Sequence, residues 1–214
     1  MSDTTLKKIE ALYSANLKEK GLTSPAVGWN TPDSQTLRFD KLTTVVGDRS
    51  RPVTINDYGC GYGAHLQYLE HYCGISVHEY NGYDLSEEML AAARTNLSWF
   101  GGRLNLIRSA ELSTPADYSF VSGTFNVRFD ADDTVWTAFI HTKLDELDSC
   151  SRKGFSFNLL STYVDWQEKH LFYGDPCYWF DLCKRKYSKQ VCLLHDYPLY
   201  EWTIVVKKEE EDQS

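Results

Sequence analysis

The chain is short of positive charge: 22 Lys and Arg stand against 30 Asp and Glu, for a net charge of −8 with the six histidines neutral. That balance repels phosphate backbones and anionic lipid unless a local basic patch overcomes it. The one clear basic cluster, residues 184–189, is short, so nucleic acid is not expected as a partner. Long apolar runs are also missing; none approaches the roughly 20 residues that cross a bilayer, and no membrane association is expected. Lys7, Lys8 and Glu10 stand where a secretory signal would be apolar. The six cysteines (Cys60, Cys73, Cys150, Cys177, Cys183 and Cys192) form no CxxC pair, which fits reduced thiols in a cytoplasm. There is no internal repeat and no Pro/Gly/Ser-rich linker. A chain of 214 residues with 42% hydrophobic content builds one sizeable core and hardly two. The expectation is one soluble cytoplasmic domain, as a monomer or homodimer.

What is present is alternation. Residues 1–46 read as a helical cap segment. Leu6, Ile9, Leu12, Tyr13 and Leu17 recur at helical spacing ahead of Gly21, and a second helix over 34–46 turns Leu37, Leu42 and Val45 inward. Residues 47–208 then alternate short strands with helices: VTIND, a helix over 62–72, EYNGYD, a helix over 86–99, RLNLIR, DYSFVSG, a helix over 132–149, GFSFNLLS, a helix over 176–187, VCLLHDY and YEWTIVVKK. Such alternation predicts an α/β, Rossmann-like, mostly parallel sheet covered by helices on both faces. Only Pro198 and Leu199 separate the last two strands, too few for a parallel crossover, so the seventh and last strand is antiparallel. Residues 209–214 form an acidic tail, expected to be disordered.

The stretch NDYGCGYG carries the strongest signal. Gly59, Gly61 and Gly63 fall between a strand and a helix, where ligands of an open α/β sheet bind, and free N–H groups at the turn would attract a carboxylate or phosphate. Asp84 ends the second strand 21 residues beyond Gly63, where its carboxylate can accept from both hydroxyls of a ribose. Together they point to a nucleoside. Gly59, Gly61 and Ala64 also satisfy a dinucleotide fingerprint, so the motif alone does not choose the nucleoside.

Through NDYGCGYG, YNGYDLSEEML and the closing VCLLHDYPLYEWTIVVKK, the chain resembles the class I S-adenosylmethionine-dependent methyltransferases over residues 34–208. The resemblance implies S-adenosylmethionine as cofactor. It puts Asp57, Tyr58, Gly59, Cys60, Gly61 and Gly63 at the methionine end, Asp84 on the ribose, Leu85 and Met89 against the base, and Ser122 and Gly123 beside the reactive end. Relatives often carry an aspartate after strand three; here the sequence is Ser109-Ala110-Glu111, and either the Glu111 carboxylate or the Ala110 N–H would meet the adenine. Trp29, Gln35 and Arg38 lie in the leading segment, expected as a lid.

Methyl transfer requires in-line attack, so positioning dominates, with a base where the acceptor holds a proton. A parallel sixth strand would bring His195 and Asp196 to the ligand edge, and Asn126, Tyr163 and His170 follow strands four and five; these are the candidates for acceptor binding and catalysis. Eleven aromatics between Tyr163 and Trp202 divide between core and acceptor pocket. No metal is expected: six residues turn a helix by about 600°, which separates His65 from His71, and no pair has zinc-ligand spacing. The expected reaction is methylation of an O or N atom of a small metabolite or sugar-derived acceptor. An NAD-dependent oxidoreductase and a non-catalytic nucleoside-binding protein are the alternatives.

Overall fold

The computed structural model describes residues 3–28 and 31–209. Trp29 and residues 210–214 of the acidic tail lie outside the described residues. In chain order the elements are α1 (Asp3–Lys20), a 3-10 turn (Ser24–Val27), α2 (Pro32–Thr43), β1 (Val53–Tyr58), α3 (Ala64–His71), β2 (Val77–Asp84), α4 (Glu87–Asn96) and a 3-10 stretch (Ser98–Arg103). They continue with β3 (Leu104–Arg108), β4 (Ala116–Val121), α5 (Asp133–Cys150), β5 (Ser151–Ser161), β6 (Tyr173–Gly174), α6 (Pro176–Lys186), β7 (Gln190–Leu194) and β8 (Glu201–Lys207).

The helix starts are written in the sequence. Thr31 and Ser34 form a reciprocal capping box around Pro32 at the start of α2. Ser86 accepts from the Met89 N–H to cap α4, and Asp132 and Asp175 do the same for α5 and α6.

The sheet runs β3-β2-β1-β4-β5-β8-β7. β1 to β5 are parallel, and β8 is antiparallel to both neighbours. Eight strands stand among the described residues where seven were expected. The extra one, β6, is two residues long and pairs with Leu160 and Ser161 at the end of β5. It is fixed by side chains rather than by a strand pattern: the Trp202 indole donates to the Gly174 carbonyl at 2.9 Å, and a Cβ on Gly174 would meet Trp179 and Trp202.

Each face of the sheet buries its own core. One contains Trp136, Ile140 and Leu144 of α5, Trp179 of α6, and Phe155, Phe157, Trp202 and Ile204 of the strands. The other contains Leu42, Leu66 and Leu90 of α2, α3 and α4 with Ile55, Tyr80 and Phe120. Each such side chain contributes about 1.5–3 kcal/mol through apolar burial. Parallel strands β3 and β4 are joined by residues 109–115 without a helix. The Tyr83 hydroxyl bonds Thr114 Oγ1 at 2.7 Å, and Asn56 Nδ2 donates to the Thr114 carbonyl at 2.7 Å, pinning this bare crossover. Helix α1 packs Ile9, Leu12 and Tyr13 into the same core as Tyr58, Tyr83 and Leu112, covering what the short crossover leaves open.

One correction bears on the site. The strand expected over 191–197 ends at Leu194. β7 runs in the direction of β1–β5, since it opposes β8, but it is the sheet's outer edge, with β8 and β5 between it and β4. Its C-terminal end is therefore remote from the middle of the sheet.

Candidate functional site

The glycine turn is built by backbone conformation. Gly59, Gly61 and Gly63 have φ of +80°, +55° and +82°, a region costly for residues with a Cβ. A Cβ at Gly59 would collide with the Thr124 side chain, and one at Gly63 with Leu97. The turn is clamped to the end of β2: Gly59 N and Cys60 N both donate to the Tyr83 carbonyl, at 2.8 and 2.9 Å, and Gly61 N donates to Asp84 Oδ2 at 2.9 Å. The expectation of free turn amides facing an anion is corrected here, because these three are committed within the protein.

Asp84 is held from both sides, with Oδ1 accepting from Ser86 N at 2.9 Å. Burial pushes its carboxyl up to about 6, against the pull of the Ser86, Gly61 and Leu85 N–H groups. It lines a cleft with roughly 720 Å³ of open space up to its mouth, bordered on one side by Leu85 and Met89 and on another by Leu6, Ile9, Glu10 and Tyr13 of α1. Tyr58, Gly59, Gly61, Ser122 and Gly123 line the same cleft. A second, smaller hollow of about 320 Å³ lies on the α2–α3 side of the turn, with Gln35, Asp57, Cys60, Tyr62 and His65 in its wall. Gly59 and Ser122 border both, so the two hollows meet at the turn and the end of β4. Ser122 Oγ is buried there without a hydrogen-bond partner among the described residues.

The second hollow is polar and braced. Asp57 Oδ2 accepts from the Tyr80 hydroxyl at 2.5 Å and lies 3.7 Å from His65 Nδ1. The His65 ring stacks on Phe39, and both its nitrogens are buried without a hydrogen-bond partner among the described residues. Gln35 Oε1 accepts from Ser24 Oγ at 3.0 Å and lies 3.5 Å from the Tyr62 hydroxyl. Burial, reinforced by Asp84 and Asp57, pushes the Cys60 thiol well up, so it remains protonated and a poor nucleophile.

Other expected residues fall elsewhere. Arg38 is committed to Glu201 of β8, Nε to Oε1 at 2.5 Å, and it lines neither hollow. Burial raises the Glu201 carboxyl and the Arg38 charge opposes that rise. After β3 it is Ser109 that lines the cleft; Glu111 is exposed, and the Ala110 carbonyl accepts from the Tyr58 hydroxyl at 2.9 Å. None of the five catalytic candidates lines either hollow. Asn126 Oδ1 accepts from Leu160 N at 3.2 Å, a bond from the loop after β4 to the end of β5. His170 is exposed, and its carbonyl receives the Arg128 and Phe129 N–H groups. His195 and Asp196 sit exposed beyond β7; the His195 ring lies 5.8 Å from that of Tyr163, and Asp196 pairs with Lys41 at 3.4 Å. Tyr163, Trp166 and Tyr200 stay 62–69% exposed and form an aromatic rim with His195.

Sequence reasoning missed the wall supplied by α1, together with Thr124, Phe139 and His65. The amphipathic spacing of residues 4–20 signals that the helix packs on something, but not that it packs on a ligand cleft.

A parallel sheet reversed at β8, with a glycine turn closing β1 and a carboxylate ending β2, is the fold of an S-adenosylmethionine-dependent methyltransferase. A family model described as a methyltransferase domain matches residues 55–152. The "Putative methyltransferase Rv1506c" of Mycobacterium tuberculosis (strain ATCC 25618 / H37Rv) is 52% identical over 161 residues, covering 73% of this chain and 94% of that protein. The chain belongs to the class I S-adenosylmethionine-dependent methyltransferases. Among solved structures, magnesium protoporphyrin IX methyltransferase from Synechocystis PCC 6803 with bound SAH superposes with a TM-score of 0.63 at 11% identity, covering 97% of each chain. Human N-acetylserotonin methyltransferase in complex with SAM gives 0.64 at 12% identity, covering 97% of this chain and 60% of that one.

Proposed function

We propose that the protein methylates an O or N atom of a small metabolite or sugar-derived acceptor, with its cofactor lying across the two hollows. The observation that carries this reading is the Asp84 carboxylate, clamped by Ser86 N and Gly61 N at the wall of a cleft that continues around the glycine turn. In the reading, Asp84 takes the ribose hydroxyls, while Leu85 and Met89 supply the apolar walls for the base. Gln35, Asp57 and His65 face the amino-acid end, where an ammonium and a carboxylate need one acceptor and one donor set. Bound S-adenosylmethionine supplies an electrophilic methyl on a sulfonium sulfur.

The chain's own contribution is then positioning and exclusion of water. Ser122 and Gly59, common to both hollows, border the place where the two halves of the cofactor join. Acceptors enter past the ends of β4 and β5, where Tyr163, Trp166 and Tyr200 offer ring faces to a flat or sugar-like molecule. Because no imidazole or carboxylate from His195, Asp196 or His170 lines the hollows, orientation rather than a dedicated base carries the rate. By their names, the porphyrin and N-acetylserotonin methyltransferases also act on small molecules. The oxidoreductase reading is disfavoured by the committed amides of Gly59, Cys60 and Gly61, which a pyrophosphate would need.

S-adenosylhomocysteine should raise the melting temperature through mass action while NAD does not; the reverse pattern overturns the reading. Methyl-labelled cofactor incubated with the protein and a metabolite extract, followed by mass spectrometry, then identifies the acceptor. Label confined to macromolecules would remove the small-molecule assignment.

A further inference from the structure

The base end of the cleft lacks the acidic side chain that the loop after β3 would be expected to supply. Glu111 is turned away: its N–H donates to Ser109 Oγ at 2.9 Å, the Ser109 hydroxyl donates to its carbonyl at 3.0 Å, and its side chain faces solvent. Only three carboxylates border the two hollows among the described residues: Asp57, Asp84 and Glu10. Asp57 is engaged by Tyr80, and Asp84 is the ribose group of the reading above. That leaves Glu10, on α1.

Glu10 is fixed rather than adventitious. Its Oε1 accepts from Arg108 Nη2 at 2.8 Å, and Arg108 Nε donates to the Leu85 carbonyl at 3.0 Å. Arg108 is the last residue of β3 and pairs in register with Asp84, so one guanidinium ties Glu10 to the residue that follows the ribose carboxylate. Further latches hold α1 along the same side of the cleft: Ser14 Oγ to Ser86 Oγ at 2.8 Å, Ser14 Oγ to Glu88 at 3.1 Å, and Lys8 to Asp130 at 2.9 Å. The Glu10 side chain is 27% exposed, and Oε2 has no hydrogen-bond partner among the described residues. Around it the wall is apolar, with Leu6, Ile9, Leu85 and Met89. A carboxylate held in place in an apolar wall with an oxygen to spare is an acceptor for an N–H donor.

We infer that Glu10 is the nucleobase-reading residue: it accepts the exocyclic amino group of a 6-aminopurine, a task transferred from the β3–β4 loop to the N-terminal helix because that loop has no helix and α1 occupies its side of the cleft. The inference rests on the cofactor reading of the cleft. A 6-oxo purine would set its carbonyl against the carboxylate and keep only N1–H as a donor on that edge, so it should bind more weakly.

The test compares affinities of S-adenosylhomocysteine and its 6-oxo counterpart S-inosylhomocysteine by calorimetry, on the unaltered protein and on Glu10→Gln. The unaltered protein should prefer the 6-amino ligand by about tenfold or more. In Glu10→Gln the carboxamide can donate to a 6-oxo group, so the preference should collapse toward unity, chiefly through tighter S-inosylhomocysteine binding. Equal weakening of both ligands, or an unchanged ratio, overturns the inference while leaving the cofactor site standing. If neither ligand binds the unaltered protein, the cofactor reading itself fails and the inference goes with it.

Discussion

Acidification should release the cofactor, and Asp84 sets the size of the effect. Burial pushes the Asp84 carboxyl up to about 6. Ribose hydroxyls are donors to the ionised form, so ligand binding lowers that pKa, and by linkage a proton must weaken the ligand. If only the carboxylate grips the sugar, the apparent Kd scales as one plus the ratio of protonated to ionised Asp84. That ratio is negligible at pH 8 and about ten at pH 5, which predicts a roughly tenfold loss of affinity over that interval. Calorimetric titration with S-adenosylhomocysteine at half-unit steps between pH 8 and 5 measures it directly. Asp84→Asn serves as the control: it should bind more weakly at pH 8 and lose the slope. A Kd constant within about twofold across the range, or the same slope in Asp84→Asn, would refute the assignment of the ribose to this carboxylate.

Three further outcomes follow from the geometry. Gly63→Ala forces a Cβ into the Leu97 side chain at φ +82° and should cost about 2–4 kcal/mol in urea unfolding, so a loss under about 1 kcal/mol would contradict the turn. Arg38→Met leaves Glu201, 0% exposed, without its cation and should cost about 3–5 kcal/mol at neutral pH. Because the folded-state pKa of Glu201 is raised, that loss should shrink as pH falls and the carboxyl protonates, and Glu201→Gln in the same chain should recover part of it; a pH-independent loss would point to packing alone. His195→Ala and Asp196→Asn, both exposed beyond β7, should change stability by less than about 0.5 kcal/mol and leave S-adenosylhomocysteine affinity unaltered, whereas a large affinity change would return them to the site.

The features legible in the sequence are those carried by local rules. Period-two and period-3.6 patterning gave the alternation, Pro198-Leu199 gave the reversal of β8, and the strand–glycine–helix context placed Gly59, Gly61 and Asp84 where the cleft is found. What failed depends on contacts between distant segments. Gln35 and Arg38 share a helix and read alike, yet only the pairing of Leu160 with Glu201 across β5 and β8 brings a buried carboxylate to Arg38. Asn126, His170 and His195 were placed by strand direction alone, which says that a residue follows a strand but not how far along the sheet edge that strand stands. Helix α1 was visible as an amphipathic helix, and its contribution to the cleft depends on the absence of a helix between β3 and β4, far along the chain from α1 itself.

The acidic balance of the whole chain has a local counterpart that decides between cofactors. Among the described residues, Glu10, Asp57 and Asp84 line the two hollows, and no Lys or Arg does. In many nucleotide sites a glycine turn offsets the phosphate charge with its own N–H groups. Here the Gly59 and Cys60 amides go to the Tyr83 carbonyl and the Gly61 amide to Asp84, so the turn braces a carboxylate instead of cradling an anion. A phosphate entering such a site would meet like charge in a partly desolvated setting, where repulsion is poorly screened. A sulfonium with an ammonium nearby meets the opposite field. If the cofactor lies across these hollows as proposed, the same three backbone bonds that fold the turn disfavour a dinucleotide and favour a cationic nucleoside, through how β1 is tied to β2.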